Sequence, residues 1–125
     1  MTTLETGRMG EDYAAHWLLE RGYRLVLRNY HSRYGEIDLI AQKDQVLAFV
    51  EVKTRNKDAI ASPCEWVTPA KRRRLIKTAL LYLQENPSRL QPRFDVVEII
   101  TENRNEFAVF SIHHIENAFW LEGTV

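Results

Sequence analysis

The run Val46 to Lys53 (VLAFVEVK) is apolar on both of its alternating faces as far as Val50 and only then becomes charged. Side chains of an extended chain alternate, so Leu47, Phe49, Glu51 and Lys53 share one face while Ala48, Val50 and Val52 take the other. A strand that is apolar on both faces has to be covered on both, which calls for a central strand in a layered α/β fold. Its charged end then emerges at the margin of the sheet, where Glu51 and Lys53 stand as same-face neighbours.

The flanking sequence supplies the other layers. Leu4 to Arg21 has helical spacing and stops at Gly22, a residue suited to the left-handed turn that ends a helix. Tyr23 to Tyr30 and Glu36 to Ala41 read as strands, and the latter is expected to form a hairpin with Val46 to Lys53 around the polar turn Lys43, Asp44 and Gln45. Asn56 to Trp66 reads as an ordered loop. Thr68 as N-cap and Pro69 at the first helical position open a second helix, expected to run to about Glu85 and to bury Leu75, Ile76, Ala79, Leu80 and Leu83. Phe94 to Thr101 and Phe107 to Ile112 read as a further strand pair, with a short helical turn possible in the tail. No repeat, low-complexity tract or Pro/Gly-rich linker divides the 125 residues, so residues 1–125 are expected to be one domain with a central mixed sheet flanked by helices.

Charge excludes less than it first suggests. Seventeen basic and seventeen acidic side chains cancel, yet Lys53, Arg55, Lys57, Lys71, Arg72, Arg73, Arg74 and Lys77 crowd a segment whose only acids are Asp58 and Glu65. Segments, not totals, form the patches that meet a polyanion. The bland alternative is a solvated basic face balanced by the acidic C-terminal part. Cys64 is the single cysteine, which leaves no intrachain disulfide or CxxC pair and fits a reducing compartment. With no apolar signal core and no run of about 18 apolar residues, the expectation is a soluble cytoplasmic protein with no membrane partner. His16, His31, His113 and His114 form no spaced metal motif, Ser32, Ser62 and Ser111 have no triad context, and Asp95 reads as a turn or hydrogen-bonding residue.

The carboxylates carry the chemistry. If the hairpin closes through a four-residue turn, Asp38 lies opposite Glu51. Two carboxylates about 4 Å apart repel by roughly 4 kcal/mol at an effective dielectric of about 20, so a cation has to relieve them. Lys53 is one such cation. Two acids and a backbone carbonyl also make a hard oxygen pocket of the kind that Mg²⁺ or Mn²⁺ occupies, beside which Lys53 could orient a water or neutralise a phosphate. Glu11 falls on the small apolar stripe of the first helix with Gly7, Ala14 and Leu18, and an acid placed there needs a partner or a raised pKa. The alternative for Asp38, Glu51 and Lys53 is a structural ion network, and for Glu11 a turn toward Arg8 or the helix end. On the second helix Lys71 and Arg72 oppose the helix dipole at its N-terminus, a penalty that a phosphate would reverse, and Arg55 could follow the same backbone.

These residues sit in stretches that resemble the YraN-like family of bacterial proteins, long described as uncharacterised and related in fold to archaeal Holliday-junction resolvases and PD-(D/E)XK nucleases. The resemblance runs through Gly7 to Leu19, Gly22 to Asn29, Gly35 to Ala41, Phe49 to Arg55, Lys71 to Leu83, Arg93 to Val97 and His114 to Phe119. It implies a restriction-endonuclease-like, resolvase-like core. It sets the superfamily's second-strand acid on Asp38, its D/E-x-K on Glu51, Val52 and Lys53, and the first-helix glutamate of the resolvase branch on Glu11. Ile37 departs from the proline that the superfamily name promises. The function so implied is a Mg²⁺- or Mn²⁺-dependent nuclease acting on DNA, with branched and single-stranded DNA as candidate substrates. Asp38, Glu51 and Glu11 would serve the metal, Lys53 the nucleophile, and Arg55, Lys71 and Arg72 the nucleic acid, in a possible homodimer. A non-catalytic nucleic-acid-binding or adaptor module with the same fold is the alternative, since fold alone does not fix function.

Overall fold

The computed structural model describes residues 1–59 and 68–119. Cys64, most of the loop expected between Asn56 and Trp66, and residues 120–125 of the tail lie outside the described residues. The elements follow in the order α1 (Thr3–Glu20), β1 (Arg24–Ser32), β2 (Gly35–Lys43), β3 (Val46–Asn56), α2 (Pro69–Glu85), β4 (Gln91–Thr101) and β5 (Val109–Phe119). Thr2 caps α1 in a reciprocal box: its hydroxyl accepts from the Glu5 N–H at 3.1 Å, and the Glu5 carboxylate accepts from the Thr2 N–H at 3.0 Å. The box satisfies two helix-end donors at once. Thr68 caps α2 by accepting from the Lys71 N–H at 3.2 Å, and Pro69 needs no partner at the first helical position.

The five strands stand in chain order, β1-β2-β3-β4-β5. Neighbours are antiparallel except β3 and β4, which run parallel because α2 carries the chain back across the sheet. The strand that is apolar on both faces is therefore central, with a layer on each side. Ile37, Ile40, Leu47, Phe49, Phe94 and Val96 pack against Leu75, Ile76, Ala79 and Tyr82 of α2. On the opposite face Leu39, Ala41, Ala48, Val50, Val97 and Ile99 meet Ala14, Ala15 and Leu18 of α1. One expectation for α2 is corrected: Leu80 is 53% exposed, and Thr78 and Tyr82 are buried in its stead. At about 100° per residue the stripe that meets the sheet follows Leu75, Thr78, Ala79 and Tyr82, and Leu80 turns off it. The final strand is also longer than expected, continuing through His113 and His114 to Phe119.

Gly10 lets α1 approach β3. It is buried, and a Cβ at this position would run into the Thr54 hydroxyl, a group that has no hydrogen-bond partner among the described residues. Gly10→Ala is expected to force α1 away from the sheet and to destabilise the fold by about 1–3 kcal/mol. Urea denaturation checks this, and Gly10→Ala combined with Thr54→Ala should recover part of the loss. No helix among the described residues is long and apolar enough to cross a membrane.

Candidate functional site

The β2–β3 ladder runs from Lys43↔Val46 to Leu39↔Val50 and then stops. One further step would set Asp38 opposite Glu51, the register expected from the sequence. Beyond the last pair the strands are linked by a side chain: Asp38 Oδ2 accepts the Val52 N–H at 2.8 Å, taking the place of a ladder carbonyl. Asp38 is thereby fixed at the point where two strands part, on the flank of the central strand.

Its electrostatic setting is unusual. Burial, followed by the negative charge of Glu51, pushes the Asp38 carboxyl up to about 8, with Glu11 and Glu36 adding to the shift and the Val52 N–H opposing it. Burial also raises Glu11, followed by the charge of Glu36, against the opposing pull of Arg28. Four acids from α1, β2 and β3 therefore act on one another. Asn29 mediates between two of them: with its amide turned to donate, it reaches Glu36 at 2.8 Å and Glu11 at 3.0 Å. Asn29 sits at φ 53 in β1, a left-handed conformation that Asn tolerates better than most residues. It is flanked by the pairs Arg28↔Leu39 and Tyr30↔Ile37, which set it across from Asp38.

Cations surround the acids unevenly. Lys71 Nζ stands 2.7 Å from Glu51 Oε1, a largely buried contact with Glu51 only 11% exposed. The first turn of α2 thus meets the end of β3, and Lys71 serves the acid site directly. Arg72 is half-buried beside it on the same turn. The side chain of Lys53, a half-buried residue, makes no hydrogen bond or ion pair within the described residues. With Glu11, Gly7, Val52 and Arg104 it lines a cleft of about 460 Å³. Asp38 and Glu51 do not line that cleft; Glu51 borders a small apolar pocket with Ile37, Phe49 and Leu75. Arg55 lines the same cleft as Lys53, with its charge already engaged. Its guanidinium pairs with Glu98 of β4 at 2.7 Å, and the side chain is only 12% exposed, because a buried glutamate requires a cation.

Sequence reasoning missed Asn29 and Glu36 as members of the cluster. The signals were an asparagine inside a strand, where that residue is depleted, and an acid two residues before Asp38. Asp95, read as a turn or hydrogen-bonding residue, is a hydrogen-bonding one. That carboxylate is fully buried, accepting from Arg93 Nε and Nη2 at 2.8 Å each, from the Asn117 N–H at 3.0 Å, and paired with His114 Nε2 at 2.8 Å. Arg93 extends the network to the Tyr23 hydroxyl at 2.6 Å and to Glu116 at 3.0 Å.

A central mixed sheet between two helices, with acids gathered where two strands part, defines the class. The model of the uncharacterised protein family UPF0102 matches residues 10–99, and the chain belongs to that family. It is 46% identical over 121 residues to a UPF0102 protein of Prosthecochloris aestuarii, covering 94% of this chain and 95% of the relative. Against a UPF0102 protein of Syntrophomonas wolfei it is 47% identical over 117 residues, covering 92% and 97%. A UPF0102 protein of Dichelobacter nodosus is 44% identical over 127 residues, covering 100% and 92%. The matched region holds Asp38, Glu51, Lys53 and Lys71 together.

Among the described residues no three acid, imidazole or thiolate groups form a ready-made ligand set. The donors do fit a hard cation that keeps most of its water, since Mg²⁺ is held by one or two carboxylates with waters and phosphate oxygens completing its shell. Asp38 and Glu51 would be those carboxylates.

Proposed function

We propose that the protein is a metal-dependent nuclease that hydrolyses phosphodiesters of DNA, built on a restriction-endonuclease-like, resolvase-like core. The observation that carries this reading is Asp38, a largely buried acid fixed by the Val52 N–H where β2 and β3 part and raised to about 8 by its burial and by Glu51. A folded protein that holds two acids together at this electrostatic cost has a use for a cation between them. Bound there, Mg²⁺ or Mn²⁺ would polarise the scissile phosphate and lower the pKa of a water. Asp38 and Glu51 hold the ion, with the Val52 N–H fixing the orientation of the Asp38 carboxyl. Glu11, with its raised pKa and its place on the cleft, is suited to take a proton from the attacking water. Lys53, which has no ionic partner among the described residues, offsets charge developing on the phosphate. Lys71 and Arg72 hold the flanking phosphates from the first turn of α2.

Labelled junction, flap, single-stranded and duplex DNA incubated with Mn²⁺ test this. Wild type is expected to cut at least one of them, and Glu51→Gln and Lys53→Ala to lose at least about 100-fold in rate. Equal cleavage by wild type and both variants would dismiss the chemistry. A second reading, a nucleic-acid-binding module without catalysis, is favoured by the Lys71–Glu51 pair, which already gives one acid a counter-charge. Binding with no cleavage in any metal would select it. A cytoplasmic setting and a homodimer, which would present two such sites to a branched substrate, belong to the same proposal.

A further inference from the structure

The β1–β2 turn lies across the middle of α2. Ser32 Oγ and Thr78 Oγ1 are 3.0 Å apart, and a Cβ placed on Gly35 would stand 3.8 Å from Cβ of Arg74. The turn therefore brings Arg33 and Tyr34 beside the exposed bases of the helix. Arg33 donates to the Tyr34 hydroxyl at 3.0 Å, its guanidinium lies 5.0 Å from the Tyr34 ring centre, and Lys77 Nζ lies 5.4 Å from the same centre. Arg33, Arg74 and Lys77 are exposed and Tyr34 is half-buried. In sequence these four residues belong to two distant segments, and a solvated face is the bland alternative for the outward bases of α2.

Their position relates them to the acidic cluster. Lys71, Arg74 and Thr78 stand at i, i+3 and i+7 and so share a stripe of α2. Its start pairs with Glu51, and its far end meets the turn that carries Tyr34. From Lys71 to Lys77 the helix rises about 9 Å along its axis.

We infer that Tyr34, Arg33, Arg74 and Lys77 form a binding surface for an unpaired polynucleotide strand, which it delivers along α2 to the acidic cluster. The inference rests on the nucleic-acid reading above and narrows its substrate to one with unpaired bases. An aromatic ring held among cations offers a stacking face to any base and charge to its phosphates, whereas a base inside a duplex has no free face to give it.

Fluorescence anisotropy with labelled 20-nucleotide single-stranded DNA, single-stranded RNA and blunt duplex DNA provides the test, with Mn²⁺ omitted so that nothing is cut. Wild type is expected to bind single strands at least about 10-fold more tightly than duplex, and the DNA and RNA arms tell which polynucleotide is preferred. Tyr34→Ala should weaken single-strand binding about 10-fold, within the range that stacking on one aromatic ring confers, and leave duplex binding nearly unchanged. Tyr34→Phe should retain it. Arg74→Gln with Lys77→Gln should weaken both and reduce the salt slope by about 0.7 per lost contact on single strands. Thermal unfolding midpoints within about 2 °C of wild type certify that each variant is folded. If wild type binds or cuts nucleic acid while Tyr34→Ala and the double variant bind single strands as it does, the surface is refuted and the nuclease reading stands. If wild type neither binds nor cuts any polynucleotide, both fall together.

Discussion

Asp95→Ala is expected to remove about 3–5 kcal/mol of stability, the loss typical when one partner of a buried ion pair is deleted. A domain of this size has about 5–15 kcal/mol to lose. Arg93, only 17% exposed, would be left without its bidentate partner, and His114 and the Asn117 N–H would each lose an acceptor. The last of these contacts matters to the fold itself. The β4–β5 register shifts between Phe94 and Val96, and Asp95 at that irregularity accepts the Asn117 N–H in place of a ladder bond. Chemical denaturation should show the loss at neutral pH, and Asp95→Asn should recover shape but not the charge that Arg93 requires. Burial alone would raise the Asp95 carboxyl, but hydrogen bonds from His114, Arg93 and the Asn117 N–H outweigh it and hold the group below the usual carboxylate range. Because the folded-state value is depressed, this stabilisation is present above the unfolded value of about 3.9 and is lost as pH falls through the folded one. Wild type should therefore lose its advantage over Asp95→Ala only in strong acid. A neutral-pH difference below about 1 kcal/mol would mean that the network is incidental.

The contrast between Asp95 and β3 shows what was legible in the sequence. A strand apolar on both faces states its own burial, and from VLAFV the central position and two covering layers followed directly; both cores confirm that coarse arrangement. The β2–β3 register was legible for a similar reason, because a short turn fixes register over a few residues; the ladder carries it to Leu39↔Val50, one step short of Asp38 and Glu51. Contacts between distant segments had no such local rule. The Asp95 network draws on Tyr23, Arg93, His114 and Asn117, and nothing in an isolated strand pattern says that its acid will find four donors. Lys71 illustrates the same limit. Its place at a helix N-terminus was legible and its reach to Glu51 was not, because that depends on where α2 crosses the sheet. For Arg55 the charge was legible and the partner was not, since Glu98 reaches it from the neighbouring parallel strand.

Asp38 makes the second large prediction, and its sign is opposite to that of Asp95. An acid raised to about 8 binds a proton in the folded state that the unfolded chain has already released near pH 4. Between those values the native state holds more protons, so stability falls as pH rises, at up to about 1.4 kcal/mol per pH unit, and stays low once the folded group has ionised. Stability measured from pH 5 to 9 should therefore decline by a few kcal/mol in wild type, and Asp38→Asn should flatten that decline. A divalent cation should act in the opposite sense. Ionised Asp38 and Glu51 repel, and an ion held between them stabilises the fold by about 2.7 kcal/mol at one hundred times its dissociation constant. At pH 6 the ion must first displace the Asp38 proton, so Mn²⁺ should raise the unfolding temperature by several degrees at pH 8.5 and by clearly less at pH 6. Asp38→Asn should abolish the metal-dependent increment without unfolding the protein. The measurement involves no substrate and so separates metal binding from cleavage. An equal Mn²⁺ shift at both pH values, or an undiminished one in Asp38→Asn, would place the ion elsewhere and leave Lys71 as the counter-charge to Glu51.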